Sequence, residues 1–419
     1  MDKFTIDGPC KIKGKVSISG SKNASLPILA ATLLFDKPVI IKNLPRVRDI
    51  NTMLHLLKFL GSEVKLSKNK KIARISNKKN MKTFASYSLV KTMRGSILVL
   101  GALVAKFHKS KTSLPGGCLI GARPVNYHLS SLNKLGMNYE LKDGYILAKS
   151  NGKLKGAIIK FPKISVGATE NLIIASCLAK GKTILKNCAI EPEIKDLTNF
   201  LNLAGAKIKW DGRTCRIKGV NTLKQTEYSV MADRIEGGTF CVAATLARGN
   251  LEINNLNPNI IKTELNLLKK VGAKIKANKN KIIIKGPEKI KPIKSIKTSE
   301  YPGIPTDLQA QLMVLMCKAN GKSSITESIF ENRFMHVAEL QRLGGLIHVN
   351  KNKAIIQGNT NFEAAELMSS DLRASVALVL AAIVSNGKSV INRIYHLDRG
   401  YEKIEKKLLN CGAKIRRLQ

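Results

Sequence analysis

Acids are scarce in this chain of 419 residues: 29 Asp and Glu stand against 71 Lys and Arg, a formal charge of +42 at pH 7. Aromatics are scarce too, at 5% with a single Trp, so any core must be built from Ile, Leu, Val and Ala. No apolar run is long. Even 96–105 and 374–384 fall well short of the roughly 18 residues that cross a bilayer, which excludes a spanning helix. The opening residues 1–8 carry no apolar stretch behind a basic one, so no secretory signal is read there and a cytoplasmic protein is expected. Eight cysteines are scattered without a C-x-x-C pair, which argues against a zinc ribbon or a thioredoxin-like motif and leaves buried, reduced thiols.

The excess of lysine invites a nucleic-acid reading, because clustered cations release counterions from phosphate backbones. Its distribution argues otherwise. The lysines of 65–71 and 276–285 alternate with Asn, Ser and aliphatic residues, and no single basic block or aromatic RNA-binding motif stands out. A solvated outer surface is the better reading, with no specific nucleic-acid or membrane partner expected. Such a surface still concentrates an anionic substrate around the protein. With 44% hydrophobic residues, the chain is long enough for two or three folded domains.

What is present is a repeat. A small or apolar residue followed by Gly closes an apolar periodic stretch at Leu60-Gly61, Ala204-Gly205, Val271-Gly272 and Cys411-Gly412, with looser copies at Leu135-Gly136 and Leu343-Gly344. The spacing of about 70 residues predicts six units, each with a helix ended by a glycine cap. Upstream, Gly181-Lys182-Thr183-Ile184-Leu185, Gly249-Asn250-Leu251-Glu252-Ile253 and Gly387-Lys388-Ser389-Val390-Ile391 read as a turn into a short strand. Further upstream lies an Ala- and Leu-rich helix, as at 24–34 or 239–247. The expected fold is α/β, with two similar lobes of three repeats each and pseudo-threefold symmetry within a lobe.

Six polar clusters open the first helix of each unit: Ser21-Lys22-Asn23, Lys91-Thr92-Met93-Arg94, Ser165-Val166-Gly167, Asp233-Arg234-Ile235-Glu236, Thr306-Asp307-Leu308-Gln309 and Asp371-Leu372-Arg373. In two facing lobes, Lys22, Arg94, Arg373 and Asp307 would share one cleft. Cations at helix starts suit an anion, since free N–H groups and the helix dipole favour negative charge there, and a phosphorylated substrate is implied. Taken singly, each cluster is also explained by helix caps and surface ion pairs. The segment Ser113-Leu114-Pro115-Gly116-Gly117-Cys118-Leu119-Ile120-Gly121-Ala122-Arg123-Pro124 reads as a loop. Arg123 near Cys118 would lower its thiol pKa, although a loop cysteine can equally be incidental.

Together these stretches resemble the enolpyruvyl transferase family, in its branch acting on UDP-N-acetylglucosamine. The resemblance runs over essentially the whole chain and is most specific at Gly20-Ser21-Lys22-Asn23-Ala24, Leu114-Pro115-Gly116-Gly117-Cys118, Glu331-Asn332-Arg333-Phe334-Met335-His336 and Asp398-Arg399-Gly400-Tyr401-Glu402. It implies a two-lobed inside-out α/β barrel, one lobe spanning 22–231 and the other 1–21 with 232–419, closing on substrates held between them. It implies phosphoenolpyruvate at Lys22, Asn23, Arg123 and Arg399. UDP-N-acetylglucosamine falls to Arg94, Arg123, Pro124, Val125, Asn126, Tyr127, Lys163, Ile164, Ser165, Val166, Asp307 and Ile329. Cys118 is the implied acid and Asp307 the base or orienting group, with Lys22 and Arg399 catalytic as well. Asp371 and Arg373 match further active-site positions. No metal and no cofactor are implied, and a monomer is expected. The sister branch acting on shikimate 3-phosphate lacks the cysteine loop, so 115–118 argues against it.

Overall fold

The computed structural model describes residues 2–91, 93–114 and 125–419. These form two compact units, one from the described residues of 20–231 and the other from the residues up to Ser19 with Ala232–Gln419. The chain leaves the second unit after Ser19. Its neighbour Ser21 belongs to the first, where its N–H donates to Met231 O (2.8 Å) and its hydroxyl caps the helix Lys22–Ala31. The N–H of Asp233 meanwhile donates to Ser19 O (2.8 Å) inside the second unit.

The described residues form six four-stranded sheets, three in each unit, and all share one pattern. In the sheet of Ile158–Lys160, Lys182–Lys186, Thr214–Lys218 and Lys207–Asp211, the first two strands pair in parallel, and the third runs antiparallel to them and forms a hairpin with the fourth. Burial along Lys182–Lys186 alternates: Thr183 and Leu185 face inward, Lys182 and Lys186 face solvent. The period of two explains where the charge goes, because outward positions take the lysines that a core would reject. Lys182, Lys218 and Lys207 stand side by side across three strands.

Three helices fill each unit from within. Lys22–Ala31, Leu98–Phe107 and Val166–Ser176 touch one another in the first; in the second, Gln309–Cys317 packs on both Arg234–Leu246 and Leu372–Ile383. Almost every residue of these six helices is buried, the exceptions lying at their ends, and each unit has its own apolar cluster. Helices apolar on all sides belong inside a core, and each fully buried Leu or Ile contributes about 1.5–3 kcal/mol there. A second helix in each repeat lies over its sheet and ends at the expected glycine. Gly61, Gly136, Gly205, Gly272, Gly344 and Gly412 all adopt positive φ, between 93° and 115°, a left-handed turn that costs glycine least.

Three sheets recruit strands from a distance, one of them taking Lys13–Ser17 as the parallel edge beside Asn250–Asn254. Thr226–Ser229 supplies the parallel edge beside Val39–Lys42. The N-terminal strand Lys3–Gly8 lies between Gly387–Asn392 and Ile415–Leu418, antiparallel to both. The architecture is therefore sheets outside and helices inside, each sheet open, three repeats to a unit. The seven described cysteines are free and buried.

Candidate active site

All six polar clusters do sit where a repeat's central helix begins. Four of them cap it: Ser21 Oγ accepts from Ala24 N (3.2 Å), Ser165 Oγ from Ala168 N (3.3 Å), Asp233 from Ile235 N and Glu236 N (2.9 and 3.0 Å), and Asp371 from Arg373 N and Ala374 N (2.9 and 3.1 Å). Capping thus accounts for Ser21, Ser165, Asp233 and Asp371 locally. It does not account for Lys22, Arg94, Asp307 or Arg373.

In the first unit, Lys22 opens its helix with the side chain largely buried, and its ammonium lies 3.5 Å from the buried carboxylate of Asp49. Asn23 follows it, half-buried. Arg94 opens a short 3-10 turn, Arg94–Ile97, that runs into the helix Leu98–Phe107. That junction is held by Asn171, a residue with no surface exposure. Its amide donates to Ile97 O (3.1 Å) and accepts from Gly101 N (3.0 Å), the two groups that an α-helix would bond to each other. Gly101 is required for this approach, since a Cβ there would lie 2.1 Å from Asn171 Oδ1. The second amide hydrogen of Asn171 points to His128 Nδ1 (3.0 Å), which must accept it, so His128 is neutral with its proton on Nε2. Burial, and then the nearby Arg94 guanidinium, push the His128 pKa down to about 4. His128 belongs to the helix Asn126–Lys134, whose first residues are the expected nucleotide-sugar contacts Asn126 and Tyr127, with Val125 just before them. Of the third cluster, Lys163 and Val166 are exposed while Ile164 packs on the core. Asn171 therefore ties the Arg94 turn to the helix carrying Asn126 and Tyr127 and to its own helix, which Ser165 caps. Cys118, Arg123 and Pro124 lie outside the described residues.

In the second unit a carboxylate stands between two guanidiniums. Asp307, in the 3-10 turn Thr306–Leu308, binds a guanidinium with each oxygen: Arg333 Nη2 at 2.6 Å on Oδ1 and Arg373 Nη2 at 2.9 Å on Oδ2. Both arginine side chains are about 95% buried, whereas the Asp307 side chain keeps 25% exposure. Burial works against the Arg373 charge, but Asp307, Tyr401 and Asp233 outweigh it and hold the guanidinium above its ordinary pKa. Arg373 also lies over the Tyr401 ring (5.3 Å), and its Nη1 is buried with no hydrogen-bond partner among the described residues. The Tyr401 hydroxyl meets Thr239 Oγ1 at 2.9 Å. Next to Asp307, Thr306 donates to the buried Glu327 (2.9 Å), which also accepts from Ile329 N (2.8 Å). Arg399 ends the 3-10 turn Ile394–Arg399, half-buried. Arg333 and Glu327 carried no assigned role in the sequence reading, although Arg333 falls in one of its most specific stretches.

A family model described as EPSP synthase (3-phosphoshikimate 1-carboxyvinyltransferase) matches residues 6–408. The chain belongs to the enolpyruvyl transferase family. Its similarity within that family is uneven. It is 64% identical, over the full length of both chains, to a UDP-N-acetylglucosamine 1-carboxyvinyltransferase of Pelagibacter ubique. A protein of the same name from Coxiella burnetii is 47% identical over all of this chain and 96% of its own. Among solved enolpyruvyl transferase structures, NikO from Streptomyces tendae superposes with a TM-score of 0.89 at 22% identity, covering 99% of this chain and 98% of its own. An EPSP synthase from Acinetobacter baumannii superposes with a TM-score of 0.79 at 18% identity over the full length of both. The fold is that of these transferases. No helix among the described residues is long and apolar enough to cross a membrane, and no group of three or more His, Cys, Asp or Glu among them could hold a metal ion.

Proposed function

We propose that this enzyme transfers the enolpyruvyl group of phosphoenolpyruvate to the 3-hydroxyl of UDP-N-acetylglucosamine with release of phosphate, the first committed step of peptidoglycan synthesis. The observation that carries the reading is the 64% identity, end to end, with a relative bearing that activity as its name, against 18% with the solved EPSP synthase. The Asp307 cluster supports it. A carboxylate held in place by two buried guanidiniums, with a quarter of its side chain still exposed, is suited to orient a sugar hydroxyl or take its proton.

In the proposed reaction, the methylene of phosphoenolpyruvate takes a proton and its C2 becomes electrophilic. The 3-hydroxyl oxygen adds to C2, losing its proton toward Asp307. Phosphate then leaves as the methylene returns its proton. Cys118 is proposed as the acid, and Lys22, Asn23, Arg123 and Arg399 as the groups that hold phosphate and carboxylate through charge-assisted bonds. Arg94, Arg123 to Tyr127, Lys163 to Val166, Asp307 and Ile329 are proposed to bind the nucleotide sugar. Asp371 and Arg373 would complete the site, the buried Arg373 Nη1, which has no hydrogen-bond partner among the described residues, suiting a donor to an incoming acceptor. We read the protein as a cytoplasmic monomer that works without metal, cofactor or nucleic acid.

Phosphate release from phosphoenolpyruvate, measured with each acceptor, tests the reading. Turnover with UDP-N-acetylglucosamine and none with shikimate 3-phosphate is expected; the opposite preference overturns it. For Cys118, intact mass after treatment with the epoxide fosfomycin should show one adduct on that residue, and an adduct elsewhere or none removes the thiol from the mechanism.

A further inference from the structure

We infer that Glu327 is a positioning residue for the acceptor sugar, a single buried carboxylate that sets both the turn bearing Asp307 and the backbone at Ile329. The inference rests on the proposed function, which assigns those two residues to the sugar. Glu327 ends the strand Ser323–Thr326 and is 2% exposed. Four donors converge on it. Oε1 accepts from Thr298 Oγ1 (2.8 Å), Ile329 N (2.8 Å) and Phe330 N (3.3 Å), while Oε2 accepts from Thr306 Oγ1 (2.9 Å). Thr298 in turn accepts from Ser328 N (2.9 Å). The residue's own backbone is fixed against Asn352: its N–H donates to Asn352 O (2.8 Å), and Asn352 Nδ2 donates to its carbonyl (3.1 Å).

The two oxygens serve different segments. Oε1 gathers the N–H groups of Ile329 and Phe330, so the direction of the peptide at Ile329 follows from where this oxygen sits. Oε2 holds Thr306, the residue before Asp307. Arg333 reinforces the same turn, since its Nη2 reaches Thr306 O (3.4 Å) as well as Asp307 Oδ1 (2.6 Å). The guanidiniums fix the Asp307 carboxylate, and Glu327 fixes the backbone that carries it. A buried carboxylate that only braced the fold would have no reason to divide its oxygens between two sugar-binding segments. An alanine here leaves two N–H groups and two hydroxyls in a dry pocket without an acceptor, and each buried orphan drives its segment to rearrange.

The division gives the inference a kinetic signature. Phosphate release is measured at varied UDP-N-acetylglucosamine and at varied phosphoenolpyruvate for wild type, Glu327→Ala, Glu327→Gln and Thr306→Val. Glu327→Ala should raise the KM for the nucleotide sugar at least about tenfold and lower kcat, with the KM for phosphoenolpyruvate within about twofold of wild type. Glu327→Gln keeps an oxygen for the Oε1 donors, and its amide can donate to Thr306, so it should recover most of the loss. Thr306→Val cuts only the Oε2 link and should raise the sugar KM several-fold with a thermal midpoint close to wild type, which decides the matter if the alanine variant does not fold. Equal changes in both KM values, a glutamine variant as impaired as alanine, or a valine variant with wild-type kinetics would each overturn the inference. Failure of wild type itself to release phosphate with the sugar would instead overturn the proposed function.

Discussion

The first unit organises its polar interior around an amide and a neutral imidazole, the second around a carboxylate between two guanidiniums. Both are built from the same repeat, but Asp307 and Arg373 lie where buried helices begin, whereas Asn171 lies midway along one. The difference lies in what burial demands. Asn171 satisfies every donor and acceptor it has without a net charge, so it costs little desolvation and specifies a junction. Asp307, Arg333 and Arg373 carry a net positive charge out of water, which packing alone would not select. A buried excess of cation suits a place where an anion visits, which is in keeping with the role proposed for this cluster.

Breaking the charged cluster should have the largest effect. Asp307→Ala strands two buried guanidiniums, and unfolding in denaturant should show a loss of about 3–5 kcal/mol alongside turnover lowered by orders of magnitude. Near-normal activity would remove Asp307 from the reaction. Asn171→Ala should cost about 2–4 kcal/mol in the same measurement through its orphaned partners Gly101 N–H, Ile97 O and His128, with turnover reduced less than by Asp307→Ala. If the two variants lose equal turnover, the division of roles between the units fails.

Acid sharpens the contrast further. The His128 pKa is about 4 in the folded chain and near 6.5 unfolded, so between those values the unfolded chain binds the extra proton and stability falls as pH falls. The loss begins near pH 6.5, is complete near pH 4, and is expected to reach about 3 kcal/mol. A His128→Gln variant should show a shallower decline over that window, and an unchanged slope would assign the decline to other groups. His336 in the second unit is pushed down as well, chiefly by burial, so it adds a decline of the same sign that the variant leaves in place. The smallest effect belongs to a cap: Ser165→Ala should cost about 1 kcal/mol in thermal or chemical unfolding. A larger loss would mean that Ser165 does more than begin a helix.

The parts legible in the sequence were those with a local signature. A glycine that must take positive φ marks six helix ends, and Ser or Asp before an apolar run marks four helix starts, because each satisfies backbone groups within three residues of itself. Asn171 and Glu327 left no such mark. Asn171 reaches partners 70, 74 and 43 residues away, and Glu327 binds hydroxyls 29 and 21 residues upstream, separations that only the assembled repeats bring together. Arg333 was visible within a distinctive stretch, but its partner Asp307 comes from a different segment, so its task could not be read from spacing.

The N-terminal strand carries a consequence for synthesis. Lys3–Gly8 leaves the ribosome several hundred residues before either of its two neighbours, Gly387–Asn392 and Ile415–Leu418. The sheet of the sixth repeat stays incomplete until Ile415–Leu418 has been made. The other unit closes its ring with Thr226–Ser229 and has all its strands roughly 190 residues earlier. Nascent chains therefore carry all the strands of one unit while Lys3–Gly8 still waits, unpaired, for both of its neighbours.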